Sequence, residues 1–382
     1  MNTTPVWDLP TRLFHWSLVV AVAVAWFTHE SAVFLPLHVL SGSVAGGLVL
    51  FRLYWGFFGN GHARFADFIH SPRAVFDYLL GVMRLRPPRY LGHNPPGSWA
   101  ILLMLGLVGL LVATGFLVLG ASDRQGPLAG WFSFAWGRSF KEIHETLAFT
   151  LLAIVALHIL GVLVESLLHR ENLITAMIHG RKPLHGQSPA PAVVPGARWG
   201  AVLLAAALLL PVLLWFPRPG GVVGGKPAPF FVGAPLAQNA LWDKECGDCH
   251  LAYHPSLLPA ASWKPLMDRS HFNEDLDLDE AVTAQLLAFA EANAAERQLT
   301  KASYNMLRSL QKTGVGQVMR ITETPYWKRK HRNIADAVFK DIRVGSRLKC
   351  EACHQDAREG TFQGGAMAIP SGSALAGKEN KS

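Results

Sequence analysis

The fold of the last third of this chain is indicated by two short strings, Cys246-Gly-Asp-Cys249-His250 and Cys350-Glu-Ala-Cys353-His354. Together they use all 4 of its cysteines. In a Cys-x-x-Cys-His string, the two thiols attach covalently to a haem and the histidine binds the iron from one side. The strings therefore predict two covalently bound c haems, with His250 and His354 as the proximal iron ligands.

A zinc ribbon or a redox dithiol would be the alternative interpretation of a single Cys-x-x-Cys pair. A zinc ribbon does not require a histidine directly after each pair, and the separation of about a hundred residues exceeds the usual zinc-ribbon spacing. Haem c is therefore the preferred interpretation. Because covalent haem attachment is expected on the outer side of a bacterial inner membrane, both strings should lie in the periplasm.

Of all residues, 50% are hydrophobic, and the apolar residues are concentrated in the first 216 positions. Five segments there have about the length that crosses 30 Å of hydrocarbon. These predicted spans are Leu13–Thr28, Val33–Phe57, Ser98–Leu119, Ile143–Leu168 and Trp199–Phe216. An odd number of spans places the two ends of the chain on opposite sides of the membrane.

The distribution of basic residues predicts which side of the membrane each loop faces. Arg12 precedes the first span and several arginines lie between the second and third, whereas the turn between the first and second has no Lys or Arg. Lys and Arg are enriched on the cytoplasmic side of membrane proteins. The N-terminus should be cytoplasmic and the C-terminal region periplasmic, in the inner membrane. The first span has no clear cleavage site and is predicted to be a retained helix.

The predicted fold is all-α, with a membrane four-helix bundle, a fifth transmembrane helix and a mainly helical periplasmic domain. Linkers are inferred where Pro, Gly and Ala are frequent. From Leu276 to Arg308, Leu, Ala and Phe alternate with charges as in helices wrapped around a haem. The predicted boundaries are 1–182 for the four-helix region, 183–198 for a cytoplasmic linker, 199–216 for the fifth helix, 217–235 for a periplasmic linker and 236–382 for the dihaem domain.

Histidines inside apolar helices indicate a second set of haems, because an ionisable side chain at membrane depth needs a partner. His144 and His158 are 14 residues apart, so they share one helix face and are separated by about 21 Å. That spacing suits two stacked b haems. His15 lies level with His158, while His38 and His29 both lie level with His144. Depth alone does not decide between His38 and His29.

The second iron ligands of the c haems are less constrained by the residues alone. His254 precedes Pro255 and is expected in a surface turn, and the methionines are expected to fill the core. The candidates are His254, His271, His331, Met267, Met306, Met319 and Met367. Histidines predicted not to bind iron are His62, His70, His93, His169, His179 and His185. For His93-Asn94-Pro95-Pro96, a capped turn is preferred over a quinone pocket.

The first part of the chain resembles the bacterial cytochrome b561 family, in particular the b-type cytochrome subunits of Ni/Fe hydrogenases, over about residues 5–182. The resemblance rests on the motifs Val6-Trp7-Asp8-Leu9-Pro10-Thr11-Arg12-Leu13-Phe14-His15-Trp16, His38-Val39-Leu40-Ser41-Gly42, Arg52-Leu53-Tyr54-Trp55-Gly56-Phe57, Gly92-His93-Asn94-Pro95, His144-Glu145 and His158. It implies two non-covalent b haems bound by His15, His38, His144 and His158, and so favours His38 over His29.

The C-terminal part resembles the dihaem cytochromes c. The matching features are the two Cys-x-x-Cys-His strings, Leu257-Leu258-Pro259, Ser262-Trp263, His271-Phe272, Arg320-Ile321-Thr322, His331, Gly360-x-Phe362 and Ile369-Pro370. Their order along the chain is the one expected of that family. The resemblance implies bis-histidine irons, with His271 and His331 as distal ligands, and does not say which serves which haem.

These features predict transmembrane electron transfer. Membrane quinol would be oxidised through the two b haems, and the two c haems would deliver the electrons to a periplasmic redox protein, as in a quinol:cytochrome oxidoreductase. The alternatives are reverse flow from a periplasmic donor such as a hydrogenase, and a haem enzyme acting on a small oxidant such as superoxide. Glu142, Glu145 and Glu165 are candidate proton acceptors or simple helix-end charges.

The net charge of +8 is explained mainly by the membrane loops and does not predict nucleic-acid binding. The one dense basic run, Lys328-Arg329-Lys330-His331-Arg332, is interpreted as a solvated helix face, with docking of an acidic redox partner as the alternative. The predicted partners are the quinone pool and a periplasmic redox protein, and a homodimeric assembly is left open.

Overall fold

The computed structural model describes residues 3–31, 34–183, 199–215, 222–223, 226–227, 236–267, 270–272 and 274–370. Helices dominate these residues, which confirms the predicted all-α class. The helices are α1 (Leu9–Thr28), α2 (Leu35–Phe58), α3 (Pro72–Met83), α4 (Pro95–Ser122), α5 (Phe134–His169), α6 (Leu173–His179), α7 (Gly200–Trp215), α8 (Ala240–Gly247), α9 (Ala260–Leu266), α10 (Glu280–Ala292), α11 (Lys301–Thr313), α12 (Pro325–His331) and α13 (Asp336–Phe339).

The strands are short and pair antiparallel. They are β1 (Thr3–Pro5) with β2 (Arg181–Pro183), β3 (Val222–Val223) with β4 (Lys226–Pro227), and β5 (Ser270–His271) with β6 (Glu274–Asp275). The first pair joins the segment before α1 to the segment after α6. The two predicted linkers, residues 183–198 and 217–235, lie almost entirely outside the described residues.

Helices α1, α2, α4 and α5 are each long and apolar enough to cross a membrane. Large apolar side chains on their surfaces are exposed, for example Leu103, Leu110 and Phe149, as expected of faces that meet lipid. The chain is an integral membrane protein. Helix α5 has 36 residues, so its length of about 54 Å exceeds the roughly 30 Å of hydrocarbon. The predicted span began at Ile143 because apolar content alone does not mark the polar start of this helix.

Helix α7 corresponds to the predicted fifth span. It has 16 residues and is about 24 Å long, slightly short of the usual membrane-crossing length. It packs closely on α2, since a Cβ added to Gly47 would lie 2.7 Å from the carbonyl oxygen of Ala207. Small residues permit such close approach of membrane helices. That α7 itself crosses the membrane stays a prediction.

The chain divides into two compact units. The first, here called the membrane unit, comprises Met1–Thr28, Leu37–Gly115 and Phe140–Phe216. Leu48 and Trp55 of α2 are fully buried in its core. The Trp55 indole donates a hydrogen bond of 3.0 Å to Asp8, whose other oxygen accepts from the Thr11 amide at 2.9 Å. This carboxylate therefore caps the start of α1 and ties it to α2.

The second unit is assembled from three stretches of chain, His29–Pro36, Phe116–Ser139 and Pro217–Ser382. Its core is formed by short helices, with Trp242 and Trp263 in edge-to-face contact at 5.4 Å between ring centres. The sequence did not predict that Phe116–Ser139, which comprises the end of α4, the α4–α5 loop and the start of α5, would belong to the same unit as the C-terminal region.

Candidate functional site

Two imidazoles of the membrane unit face each other. The ring centres of His38 on α2 and His144 on α5 are 6.1 Å apart, with their planes at 71°. Imidazoles that bind one iron from opposite sides through bonds of about 2 Å have ring centres about 6 Å apart. The separation therefore fits a haem iron between them, and these two residues suit a b haem.

Neighbouring groups fix which ring nitrogen of each imidazole carries the proton. His38 Nδ1 donates to the carbonyl oxygen of Ala25 at 2.9 Å. His144 Nδ1 lies 3.0 Å from the Thr114 hydroxyl oxygen, and that hydroxyl donates to the carbonyl of Leu110 at 2.8 Å. The Thr114 oxygen can then accept from the imidazole, and the backbone of Leu111 is a second hydrogen-bond partner of His144. In both histidines Nε2 is left as the unprotonated nitrogen, which is the form that binds a metal.

His29 is the competing candidate for this site. It belongs to the second unit, and its Nε2 is 3.9 Å from a carboxylate oxygen of Glu30. The structure brings His38 to His144. The preference for His38 over His29 that the family resemblance implies agrees with this arrangement.

The other membrane pair is His15 on α1 with His158 on α5. The two side chains are close enough to interact electrostatically, and His15 packs edge-to-face on Trp16 at 5.0 Å. The Nδ1 of His15 is buried and has no hydrogen-bond partner among the described residues. A polar nitrogen left in this state in an apolar surrounding fits a site built for another group. The residues present fit a second b haem.

The second Cys-x-x-Cys-His string has a partner histidine at the same separation. The ring centres of His331 and His354 are 6.2 Å apart. His331 Nδ1 donates to the carbonyl of Trp327 at 2.9 Å, and its ring stacks on the indole of Trp327 at 4.2 Å. Burial lowers the pKa of both histidines, which keeps them in the neutral form that binds iron. His331 is thus the imidazole that faces the proximal histidine of this string.

The first string is more exposed. Cys249 and His250 lie at the surface, whereas Cys353 and His354 are half-buried. His250 Nδ1 is 2.7 Å from the carbonyl of Leu251, so its tautomer matches that of His38. The side chain of His271 lies outside the described residues, and its role as the distal ligand stays a prediction.

His254 is not in a surface turn, and that expectation was wrong. The residue is only 5% exposed. Its Nδ1 is 3.0 Å from the Ser256 hydroxyl, and its Nε2 is 3.2 Å from the carbonyl oxygen of Ala237. Burial lowers the pKa of His254. Because both ring nitrogens have partners within the protein, this histidine has a structural role and does not suit iron binding.

The methionines considered as iron ligands lie mainly in the core, as expected. Met306 is 5% exposed, and its sulfur accepts a hydrogen bond of 3.0 Å from the Thr324 hydroxyl. Met267 and Met319 pack against the Trp242–Trp263 cluster. Met367 is paired through its backbone with His354, while His331 already faces that imidazole.

The four cysteines bear on the alternative interpretations of a zinc ribbon and a redox dithiol. All four are unpaired thiols, and within the described ranges no three His, Cys, Asp or Glu side chains gather to hold a metal ion. Burial raises the pKa of Cys246 and of Cys350 to about 11. A catalytic redox dithiol needs a lowered thiol pKa, which the burial of Cys246 and Cys350 does not provide.

Tyr253 connects the two strings and was missed by the sequence analysis. Its ring stacks on the imidazole of His250 with centres 5.3 Å apart. Its hydroxyl donates to the carbonyl of Leu348 and lies 3.7 Å from the sulfur of Cys350. An aromatic residue three positions after His250 was the available signal, but the contact spans 97 residues, which sequence spacing does not reveal.

A polar cluster lies around Glu165, two turns beyond His158 on α5. The Tyr78 hydroxyl donates to Glu165, the Asn94 side-chain amide donates to the Tyr78 oxygen at 3.3 Å, and His169 lies 3.3 Å from the same carboxylate. The Glu165 side chain is only 12% exposed. In contrast, Glu142 and Glu145 are exposed. The structure thus separates one buried carboxylate from two surface ones.

The capped turn expected at Asn94 is confirmed, since its side-chain oxygen accepts from the Gly97 amide at 2.8 Å at the start of α4. His93 lies between Trp7 and Phe68, with ring centres 4.5 Å from each. Burial lowers the pKa of His93 well below its usual value. Its aromatic neighbours and its burial make this histidine a neutral residue of the packed core.

Comparison with known families matches both parts of the chain. A profile described as prokaryotic cytochrome b561 matches residues 6–180, and one described as dihaem cytochrome c matches residues 242–362. Among curated relatives, a probable Ni/Fe-hydrogenase B-type cytochrome subunit of Rhizobium leguminosarum bv. viciae is 27% identical over 209 residues, 46% of this chain and 87% of that protein. The corresponding subunit of Azotobacter vinelandii is 28% identical, over 48% and 90% of the two chains.

Among solved structures, a diheme cytochrome c from Rhodobacter sphaeroides is 39% identical and covers 34% of this chain and 100% of its own, with a TM-score of 0.29. A diheme cytochrome type c from Shewanella baltica is 32% identical over 36% of this chain and 96% of its own, with a TM-score of 0.28.

Proposed function

We propose that this chain oxidises membrane quinol and delivers the electrons to a periplasmic redox protein. It joins a region of the prokaryotic cytochrome b561 family to a region of the dihaem cytochrome c family. It is therefore a transmembrane electron-transfer protein. When bound, the haems supply one-electron redox centres. The proposal assigns two b haems to the membrane unit and two c haems to the second unit.

The observation that carries the proposal is the pair of facing imidazoles in each unit, His38 with His144 at 6.1 Å and His331 with His354 at 6.2 Å. A haem iron with two histidine ligands has no open coordination position for a substrate. This arrangement supports electron transfer over the alternative of an enzyme acting on a small oxidant. His15 with His158, and His250 with His271, are proposed to complete the four sites.

Cys246, Cys249, Cys350 and Cys353 are proposed to hold the c haems covalently. The boundaries that follow are 1–182 for the b haem region, 199–216 for a fifth span, and 236–382 for the c haem region, joined by linkers at 183–198 and 217–235. The arginines of the loop after α2 support a cytoplasmic N-terminus in the inner membrane. With five spans, the c haem region is then periplasmic.

Quinol oxidation releases protons, and the Glu165 cluster is proposed to accept them. A buried carboxylate that holds hydrogen bonds from Tyr78 and a contact with His169 can receive a proton and pass it to a second titratable group. Glu142 and Glu145 lack such burial. Glu165 is therefore proposed as the proton acceptor of the quinol reaction.

Glu165→Gln tests this role directly. We expect the rate of b haem reduction by a quinol analogue to fall about 100-fold, because an amide cannot accept the proton. The b haem content of the purified protein should stay unchanged. Glu145→Gln is the matched control on the same helix and should keep the parental rate. An unchanged rate in Glu165→Gln would remove Glu165 from the reaction.

A redox titration of the purified full-length protein, followed by optical spectra, tests the function as a whole. We expect two b and two c haems per chain, complete low-spin spectra, no carbon monoxide binding, and reduction of the c haems by a quinol analogue. Fewer haems would contradict the ligand assignment. Binding of carbon monoxide would favour the oxidant-reactive enzyme.

Reverse flow is the second candidate, because several matched relatives are described as Ni/Fe-hydrogenase cytochrome subunits. In that case a periplasmic donor would reduce the c haems and the electrons would enter the quinone pool. The potentials separate the two directions. A c pair above the b pair in potential supports outward flow, and a c pair below it supports inward flow.

A further inference from the structure

A groove lies on the surface of the membrane unit, between the first turns of α1 and the end of α6. Its volume is about 390 Å³, within the range of about 300–1,000 Å³ that ligand sites occupy. The residues that line it are Leu9, Arg12, Leu13, Trp16 and Ile178. Arg12 is the one charged residue among these five. The groove therefore combines an apolar wall with a single guanidinium.

The Arg12 guanidinium has no counter-charge among the described residues. Its Nε is buried and lacks a hydrogen-bond partner there, and its side chain forms no ion pair within the described ranges. Asp8, one turn earlier, is already engaged, since its two oxygens accept from the Thr11 amide and the Trp55 indole. A guanidinium is always charged, and burying part of it without an anion costs free energy. An anion from outside the protein would compensate this charge.

The end of α6 fixes the position of the Arg12 side chain. Gly180 directly follows α6 in the left-handed conformation, with a φ of 79°. A Cβ added to Gly180 would lie 3.1 Å from Nη1 and 3.2 Å from Cδ of Arg12, so the side chain rests on this backbone. The Gly180 carbonyl accepts from the amides of Val6 and Trp7 at 2.8 and 3.1 Å. The guanidinium is thus held between the segment before α1 and the end of α6.

The groove lies on the exposed face of α1. Leu9, Leu13 and Trp16 recur at spacings of four and three residues and so share one face of the helix. Their side chains are 56%, 48% and 38% exposed. Phe14, on the opposite face, is 7% exposed and packs in the core, and His15, about 100° around the helix from Trp16, interacts with α5. The groove is therefore open to the surrounding membrane and separate from the paired histidines.

From these observations we propose that the groove binds one anionic membrane phospholipid. Its phosphate pairs with Arg12, and an acyl chain lies on Leu9, Leu13 and Ile178. A guanidinium can donate two parallel hydrogen bonds to a phosphate. Trp side chains near the ends of membrane helices lie at the level of the lipid headgroups, which suits Trp16. Basic pockets beside membrane helices bind anionic headgroups in the same way. The site lies outside the proposed electron relay and does not depend on it.

The chemistry of the groove favours a phospholipid over the other molecules that could reach it. A quinol is also an amphiphile of the membrane, but its neutral headgroup would leave the charge of Arg12 without a counter-ion. Inorganic phosphate would compensate that charge but leave the apolar wall uncovered. A phospholipid with a negatively charged headgroup matches both the guanidinium and the wall.

Native mass spectrometry of the full-length protein tests the proposal. The protein is released from nanodiscs that contain equal amounts of phosphatidylglycerol and phosphatidylcholine, and the molecules that stay bound are identified. We expect one phosphatidylglycerol per chain in the parental protein. In Arg12→Gln its retention should fall at least about tenfold, because charge-assisted hydrogen bonds are lost, and Arg12→Lys should retain an intermediate amount. Arg86→Gln removes an exposed arginine after α3 and is the control that should retain the lipid.

Because Arg12 also contacts the end of α6, a second pair of variants tests the groove with Arg12 in place. Ile178→Trp fills the groove and should lower lipid retention as Arg12→Gln does. Ile174 lies one turn earlier on α6 and is equally exposed, at 47%, but it does not line the groove. Ile174→Trp should therefore keep the bound lipid. Thermal unfolding without added lipid should give all these variants the parental melting temperature.

Parental retention of phosphatidylglycerol in Arg12→Gln would overturn the proposal, and so would equal retention of phosphatidylglycerol and phosphatidylcholine by the parental protein. A quinone bound in place of the lipid would overturn it in favour of a quinol site. Added inorganic phosphate should leave the lipid bound. Its displacement by phosphate would show that the groove recognises a free anion and not a lipid.

Discussion

Hydrogen bonds from single side chains and carbonyls set the chemistry of the membrane histidines. The carbonyl of Ala25 holds His38 and the hydroxyl of Thr114 holds His144, each through Nδ1. A histidine ligand that donates its second nitrogen to an acceptor is more basic and better oriented. Neither acceptor is recognisable from sequence, because a carbonyl has no residue signature and a threonine in an apolar helix usually bonds its own backbone.

Substitution of His38 and of His29 gives a direct test of the proposed b haem site that contains His144. We expect His38→Ala to lower the b haem content from two to one per chain, because His144 loses the facing imidazole. His29→Ala is the matched control and should keep two b haems. Haem content is measured from the pyridine haemochrome spectrum of the purified variants. Loss of a haem in His29→Ala alone would reverse the assignment.

Thr114→Val should change the potential of one b haem only. The variant keeps the shape of the side chain but removes one of the two acceptors of the His144 N–H. The imidazole then becomes a weaker donor to iron, and its affinity for the metal should fall about 10-fold. We expect the midpoint potential of that b haem to rise while both c haem potentials stay constant.

Thr146→Val is the control for Thr114→Val, since Thr146 lies on α5 and its hydroxyl donates to the carbonyl of Glu142, at 2.8 Å, on the exposed side of the helix. An equal shift in both variants would show a general helix effect. A redox titration monitored at the b haem band distinguishes the two results.

Close helix packing fixes α7 on the membrane unit. Gly47 of α2 leaves space for the backbone of Ala207, and Leu204 joins the same core. We expect Gly47→Leu to lower the free energy of unfolding by about 1–3 kcal/mol, because the added side chain must displace α7. Gly106→Leu on α4 is the control, since no atom lies within 4 Å of a Cβ added there.

Thermal unfolding in detergent, followed by loss of the b haem spectrum, measures both variants. Equal melting temperatures would show that the contact between α2 and α7 does not support the haem-binding core.

The helices themselves were largely predictable, and their contacts were not. Apolar runs located α1, α2, α4 and α5, and the spacing of His144 and His158 placed both on one helix face. The predicted helix ends were less accurate. The stretch from Phe134 to Glu142, which includes Arg138 and Lys141, continues the helical hydrogen bonding outside the apolar run. The pairing of His331 with His354 was left open, since it depends on how α12 folds back, which has no periodic signal.

The largest difference between sequence and structure is the composition of the second unit. Sequence composition predicted a separate domain from residue 236 onward, and it contains most of that unit. The contribution of Phe116–Ser139 was missed, because the ion pair between Asp123 and Lys301 joins residues 178 positions apart. Neither residue is unusual in its local context, so only the folded chain reveals the contact.

The proposed orientation of the whole molecule is testable by chemical labelling. Ile342 is 96% exposed in the second unit, and Arg86 is exposed in the loop after α3. In spheroplasts, a membrane-impermeant maleimide should label Ile342→Cys and leave Arg86→Cys unlabelled, because the positive-inside rule places the second position in the cytoplasm. Detergent permeabilisation should allow both to react. Labelling of Arg86→Cys alone would invert the proposed topology.

The split composition of the second unit also has consequences for biosynthesis. At about 5–20 residues per second, Lys301 leaves the ribosome about 10–35 s after Asp123. Asp123 and Phe134, which contact Lys301 and Tyr304, are therefore exposed until the C-terminal region arrives and covers them. For the same reason, a soluble fragment cut at residue 236 would leave Lys301 and Tyr304 without their partners. A fragment intended to reproduce the native unit should carry residues 116–139 grafted to it.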